Sequence, residues 1–321
     1  MAAAVLGTAG SSASPTLHGT LLEGSLRSAA LRGRLAFEIY LPPGYAGSRA
    51  RYPVIYFLHG LPASPYAFRG MQTFARALDE VGKRAIFVAP QGARDRDSDS
   101  EYLDWGPGRN WETAIGQELP HYIDSHFRTI ASRRGRALVG LSAGGYGAVL
   151  LALHHLDAYS VMESWSGYFH PTNPSGTAPL DLGSAAANRR ASAHSFVRSL
   201  QRAFRRRPTF FAFYVGRGDA TFRAENQLLH RELAAARVSH VFELYAGAHE
   251  QSLWVRHAVT WLGWRCNTWL PRNSHAFGTH GSPTRAHFAT TLAAGGGWNL
   301  HPHPGGDART RARVNIKGGS G

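Results

Sequence analysis

Apolar positions follow two rhythms along the chain. Near the start they alternate, from Thr16 to Leu26 and again from Arg34 to Leu41, where Leu35, Phe37, Ile39 and Leu41 share one face. A period of two belongs to a strand with one side in the core and one toward solvent, as in antiparallel sheet. Pro42-Pro43-Gly44 closes the second run. From Tyr52 onward the apolar stretches are short and unbroken: Tyr52–Leu58, Ala85–Ala89, Ala137–Val139, Tyr159–Trp165, Pro208–Val215 and His240–Tyr245. Runs of this kind suit strands covered on both faces. Helical spacing fills the gaps between them. Phe68, Met71, Phe74, Ala75 and Leu78 recur within Ser64–Val81, and Tyr146–Leu153 is apolar nearly all round. Further helices are predicted over Trp111 to about His126, Ala193–Phe204, Phe222–Arg237 and Glu250–Gly263. Asn110 is placed to cap the first of these four, with Glu112 near its positive end and Pro120 expected to kink or divide it.

Strands alternating with helices predict an α/β fold: a mostly parallel central sheet with helices on both faces and the two leading strands as an antiparallel edge. Ligands of such sheets bind where the strands end at their carboxyl side. Two segments border that edge. Gln91–Gly108 is polar and reads as a long surface loop. His170–Ala191, rich in Pro, Gly, Asn and Ser, reads as a flexible insertion.

Composition narrows the classes. A chain of 321 residues with 43% hydrophobic content can bury a large core. No run approaches the ~18 apolar residues of a membrane span. Residues 1–15 read as a flexible leader without the charged start of a secretory signal, so the expected location is cytoplasmic, with secretion if the natural start differs. Cys266 is the only cysteine, which excludes an intrachain disulfide. Residues 16–264 carry the periodic pattern of one folded α/β domain. From 265 to 321 the pattern disappears: after Cys266 come six Lys/Arg against one acidic residue, with five His and ten Gly. A segment of that kind buries too little apolar surface to offset its ordering entropy and is expected to be disordered. His301 and His303 there read as incidental, and no metal or other cofactor is expected. The net charge of +14 is almost all arginine. It comes without an aromatic-interleaved basic stripe, so no nucleic-acid partner is expected. Arg189-Arg190 and Arg205-Arg206-Arg207 are candidates for drawing anionic substrates to a nearby pocket.

The chemistry centres on Gly140-Leu141-Ser142-Ala143-Gly144, a G-x-S-x-G sequence between an apolar strand and an apolar helix. A strand turning sharply into a helix forces its apex residue into a sparsely allowed backbone region and lifts its side chain above the sheet. Ser142 is the candidate nucleophile. A serine hydroxyl needs a base, and the base needs an orienting group. His249 follows the strand His240–Tyr245 through Ala246-Gly247-Ala248 and is the candidate base. His59 precedes a tight Gly turn, His257 falls inside the last helix, and His154 and His155 end the motif helix, where histidine suits the dipole. Asp219 follows the strand Pro208–Val215 and is the candidate acid, ahead of Asp181 in the insertion and Glu243 within a strand. The backbone N–H groups of Ala143 and Leu61 are candidate oxyanion donors. Gly60, Trp165 and Ser166 are candidate substrate-binding positions.

The ordered set YFLHG at 56–60, GQELPHYIDSHF at 116–127, GLSAGGYGA at 140–148, YVGRGD at 214–219 and GAHEQSLW at 247–254 resembles the esterase D / antigen 85 / feruloyl esterase family of α/β-hydrolases. The resemblance covers about residues 16 to 264. It implies the α/β-hydrolase fold, a Ser142–Asp219–His249 triad, donors at Leu61 and Ala143, no cofactor and a mostly uncapped site. Many members have Met where this chain has Ala143, which weakens the S-formylglutathione and mycolyl readings. The implied activity is hydrolysis of carboxylic esters, small or carbohydrate-linked, through an acyl-enzyme. Acyl transfer to a sugar, thioester hydrolysis and an idle binding protein on the same fold are the alternatives.

Overall fold

The computed structural model describes residues 17–82, 84–94, 100–173 and 178–268. Eight strands build one mixed sheet: β1 (Thr20–Ser28), β2 (Gly33–Leu41), β3 (Val54–Leu58), β4 (Ile86–Pro90), β5 (Arg136–Leu141), β6 (Val161–Trp165), β7 (Phe210–Gly216) and β8 (Val241–Tyr245). Their order is β1-β2-β4-β3-β5-β6-β7-β8. β1 pairs antiparallel with β2, and β2 antiparallel with β4, while the pairs from β4 through β8 are parallel. The alternating leading segments therefore form the antiparallel edge, and the unbroken runs form the parallel centre.

Burial explains the unbroken central runs but corrects two expectations: β2, which lies inside the sheet between β1 and β4, is buried from Phe37 to Leu41 rather than half exposed, and β8, the outer strand, is only half-buried at every position. β3, β4 and β6 are buried at every position. Neighbours along β3 face opposite layers. Tyr56 and Leu58 join a core with Leu138, Met162 and Phe213, whereas Ile55 and Phe57 join a second core with Val139, Trp165 and Tyr214. The first core is covered by α3 (Leu119–His126), α4 (Ala143–His154), α6 (Val197–Arg206) and α7 (Arg223–Ala235), through Ile123, Leu151, Leu200, Leu229 and Leu233. The second lies under α1 (Gln72–Glu80) and α8 (Gln251–Thr268), through Phe74, Leu78, Leu253 and Leu262. A strand between two such layers has no polar face to show.

Trp111 to His126 is helical throughout and is divided ahead of Pro120, as expected. α2 (Trp111–Thr113) passes through a π turn at Ala114–Glu118 into α3, so Pro120 enters in a first turn, where its missing N–H is tolerated. Several expectations needed correction. Asn110 makes no side-chain cap; its amide oxygen accepts the Gly106 N–H at 2.9 Å. Asp104 takes the capping role, accepting the Thr113 N–H at 3.0 Å and its hydroxyl at 2.6 Å. The helices expected over Ser64–Val81 and Ala193–Phe204 each begin with a 3₁₀ turn, at Ala67–Met71 and Ala193–Phe196. The 170–191 insertion holds α5 (Ala185–Arg190), capped by the Ser184 hydroxyl, which accepts the Ala187 N–H at 3.1 Å. The loop after β4 is not a surface loop throughout: Ser100, Glu101, Tyr102 and Leu103 are buried. α8 runs to Thr268, past the boundary expected at 264. The leader, and the tail beyond 268 with His301 and His303, lie outside the described residues. No helix among the described residues is long and apolar enough to cross a membrane.

Arg205, Arg206 and Arg207 close α6 just before β7, at the amino end of that strand. They therefore lie away from the carboxyl edge and do not face a pocket there. Arg190 instead pairs with Glu112, 3.2 Å away.

Candidate active site

At the end of β5 the chain turns on Ser142, with φ 53° and ψ −124°, and enters α4. That φ is unfavourable for a residue with a Cβ and persists only where its surroundings enforce it. Here they do. The Ser142 N–H donates to the Trp165 carbonyl at 2.9 Å, and its own carbonyl accepts from Gly145 at 2.9 Å and Tyr146 at 3.1 Å. The flanking glycines answer a close approach. A Cβ on Gly140 would stand 2.2 Å from the Gly144 oxygen, and one on Gly144 only 2.0 Å from the Leu58 oxygen. α4 is buried from Ala143 to Leu153, and its positive end lies at Ser142.

β7 and β8 deliver the partners. His249 Nε2 lies 3.0 Å from Ser142 Oγ, and His249 Nδ1 lies 2.9 Å from Asp219 Oδ2. The hydrogen bonds assign the tautomer: Nδ1–H donates to the carboxylate and Nε2 accepts the serine hydroxyl. Asp219 is 1% exposed. Its second oxygen accepts the N–H groups of Thr221 at 3.1 Å and Phe222 at 2.9 Å, so the carboxylate is held at both ends. The imidazole stands between the rings of Phe222 and Trp254, each met edge-on at 5.1 and 5.2 Å between centroids. Three side chains from separate strand ends thus form one hydrogen-bonded line.

The other histidines have different tasks. His59 is buried, donates from Nδ1 to the Gly60 carbonyl at 2.9 Å and accepts the Gly92 N–H at Nε2 at 3.0 Å. Burial lowers its pKa, against the opposing Gly60 hydrogen bond, so it stays neutral and ties the loop after β3 to the loop after β4. His257 lies in α8, stacked on Tyr245 at 3.7 Å, and burial, aided by Arg256, lowers it to about 4. His154 closes α4 and pairs with Glu112 at 2.8 Å. Asp181 accepts from Gly183 and Asn188 within the insertion.

Gly60 packs its main chain against the serine turn: a Cβ there would come 2.9 Å from Ser142 Cβ. Leu61 and Ala143 border a small cleft with His59, Gly60, Glu101 and Tyr102. Among the described residues neither the Leu61 nor the Ala143 N–H has a hydrogen-bond acceptor. Neither Trp165 nor Ser166 lines this cleft. The Trp165 side chain is fully buried against Phe57 and Phe74, at 5.1 and 5.4 Å, and only its carbonyl serves the site, by holding Ser142. Ser166 is also fully buried, at φ 49°. The Trp165 ring belongs to the second core. Phe222 and Tyr102 escaped the sequence reading. Tyr102 donates to the His59 carbonyl at 2.6 Å from a segment of positive φ at Glu101 and Tyr102. Neither contact has a local sequence signature, because the partners are 27 and 43 residues away.

Known proteins similar to this chain include esterases and an acyltransferase. An esterase of Mycobacterium tuberculosis is 34% identical over 131 residues, 40% of this chain and 28% of that relative. The diacylglycerol acyltransferase/mycolyltransferase Ag85A of Mycobacterium leprae is 32% identical over 143 residues, 41% of each chain. The matches thus span less than half the length of these relatives. In structure, the S-formylglutathione hydrolase of Agrobacterium tumefaciens superposes with a TM-score of 0.65 at 20% identity, over 80% of this chain and 98% of that one, a likeness of fold. The family model described as "Putative esterase" matches residues 28–265. The chain belongs to this esterase family.

Proposed function

We propose that the chain hydrolyses carboxylic esters through an acyl-enzyme on Ser142. The observation that carries this is the unbroken line Ser142 Oγ to His249 Nε2 at 3.0 Å and His249 Nδ1 to Asp219 Oδ2 at 2.9 Å. Ser142 Oγ attacks the ester carbonyl carbon while His249 Nε2 takes its proton. Asp219 keeps the imidazole in the accepting tautomer and stabilises the imidazolium. The carbonyl oxygen, now an anion, is received by the Ala143 and Leu61 N–H groups, helped by the positive end of α4. Collapse breaks the bond to the alcohol oxygen, which leaves with the proton from His249. Water then repeats the sequence on the acyl-serine and frees the acid. Each proton moves between groups already in contact, so no metal ion is required by these steps.

Family membership and the esterase named among the relatives support this reading. A second reading is acyl transfer, in which an alcohol replaces water at the acyl-serine. It is favoured by the similarity to a chain named as an acyltransferase. Small-molecule or carbohydrate-linked ester substrates, no nucleic-acid partner and a cytoplasmic location, with secretion if the natural start differs, are the working expectations. Ser142→Ala should remove p-nitrophenyl acetate turnover and fluorophosphonate labelling while the circular dichroism spectrum stays that of the parent. Retained turnover rejects the assignment, and suppression of acid release by an added sugar favours transfer.

A further inference from the structure

Away from the triad, three elements converge on a cluster of imidazoles and carboxylates. His170 follows β6, His194 lies in the 3₁₀ turn Ala193–Phe196, and Glu225 lies in the first turn of α7. One donor atom from each lies within 4.8 Å of the others. Glu225 Oε1 is 2.5 Å from His170 Nδ1 and 3.5 Å from His194 Nε2. The Phe169 N–H donates to the same oxygen at 2.8 Å and fixes the carboxylate. The far nitrogen of His194, Nδ1, lies 2.6 Å from Glu232 Oε2, so Nε2 is turned into the cluster.

We propose that His170, His194 and Glu225 form a binding site for a divalent transition-metal ion of the zinc type. Two imidazoles and one carboxylate are the donor types such ions take, and Ca²⁺ or Mg²⁺ would ask for an all-oxygen set. Glu232 on the outer nitrogen of His194 is the second layer that sets the tautomer and basicity of a ligating histidine. With bonds of ~2.0–2.1 Å, tetrahedral donors stand ~3.3–3.4 Å apart. The His194–Glu225 spacing of 3.5 Å already fits, and the His170–Glu225 spacing of 2.5 Å must open by under ~1 Å. The His170 side chain is 33% exposed, which gives the ion an entry and a water ligand.

The ion's role is structural. It clamps the end of β6, the exit of the insertion and α7. One turn before Glu225, Phe222 packs on His249, so the clamp stiffens a wall of the active site without touching the reacting atoms.

The test uses the full chain, stripped with EDTA and titrated with Zn²⁺ alone by calorimetry and thermal unfolding. We expect one tight equivalent and a raised Tm. His170→Ala and Glu225→Gln should each remove the tight equivalent, and Glu232→Gln should weaken it about 10–100-fold. The five histidines beyond residue 268 make these variants decisive. An equivalent that survives both ligand substitutions sits elsewhere and overturns the proposal, as does no uptake by the parent. Should a variant fail to fold, the visible spectrum of the Co²⁺-loaded parent decides: intense tetrahedral bands support the site and a faint octahedral spectrum refutes it.

Discussion

Phe222 serves Asp219 and His249 at once. Its N–H donates to Asp219 Oδ1 at 2.9 Å, and its ring meets the His249 imidazole edge-on at 5.1 Å and 63°. One residue therefore helps hold the acid and limits the swing of the base. Behind it the Tyr168 ring lies 5.0 Å away.

Removing that ring separates the two roles. Phe222→Ala keeps the main-chain donor and frees the imidazole. We expect stability to fall by about 3 kcal/mol, as for a buried aromatic. We also expect kcat to fall roughly tenfold with little change in KM, because the loss is one of orientation. Urea unfolding and steady-state kinetics on p-nitrophenyl acetate check both. A kcat equal to that of the parent would show that Asp219 alone orients His249.

Gly60 makes a sharper demand. A Cβ there would lie 2.9 Å from Ser142 Cβ and 3.2 Å from the Leu141 oxygen. Gly60→Ala must push the Leu61 main chain away from the serine turn, and with it one proposed oxyanion donor. Such a loss costs on the order of 10²-fold in kcat. Fluorophosphonate labelling should slow in parallel, since the phosphonyl oxygen uses the same donors. Unchanged kinetics would remove Leu61 from the oxyanion site.

Glu112 predicts a pH dependence of stability. Burial pushes its carboxyl up, but hydrogen bonds from His154 and His155, with the charges of His154 and Arg190, outweigh this and hold it at about 2. The folded value lies below the ordinary 4.5, so the folded state binds the proton less readily than the unfolded chain. The stabilisation is complete above about pH 4.5 and is lost as pH falls from there toward 2. Glu112→Gln should be less stable than the parent at pH 7, and the gap should close on acidification through that window. Denaturant midpoints measured at pH 7, 5, 4 and 3 test this; a gap independent of pH would mean that the carboxylate charge is not what stabilises the pair.

The order of strands and helices, the antiparallel edge and the Ser142, Asp219 and His249 positions were all legible along the chain. They depend on local quantities: a period of two in β2, unbroken apolar runs in β3 and β7, and a nucleophile turn whose glycines answer a clash four residues or fewer away on one side. The second clash, of Gly144 with the Leu58 oxygen, is between the start of α4 and the end of β3 and is seen only once β3 and β5 are paired. The same distinction separates the rest. Which face Trp165 presents and why Ser100 to Leu103 are buried depend on contacts with distant segments. So does the meeting of His170, His194 and Glu225, which are separated by 24 and 31 residues and come from three different elements. A chain's pattern determines what each segment prefers to be, because that preference is set by near neighbours and by burial in general. Which particular atoms meet across the sheet's carboxyl edge is decided by packing, where shape and hydrogen-bond pairing between remote segments choose one arrangement.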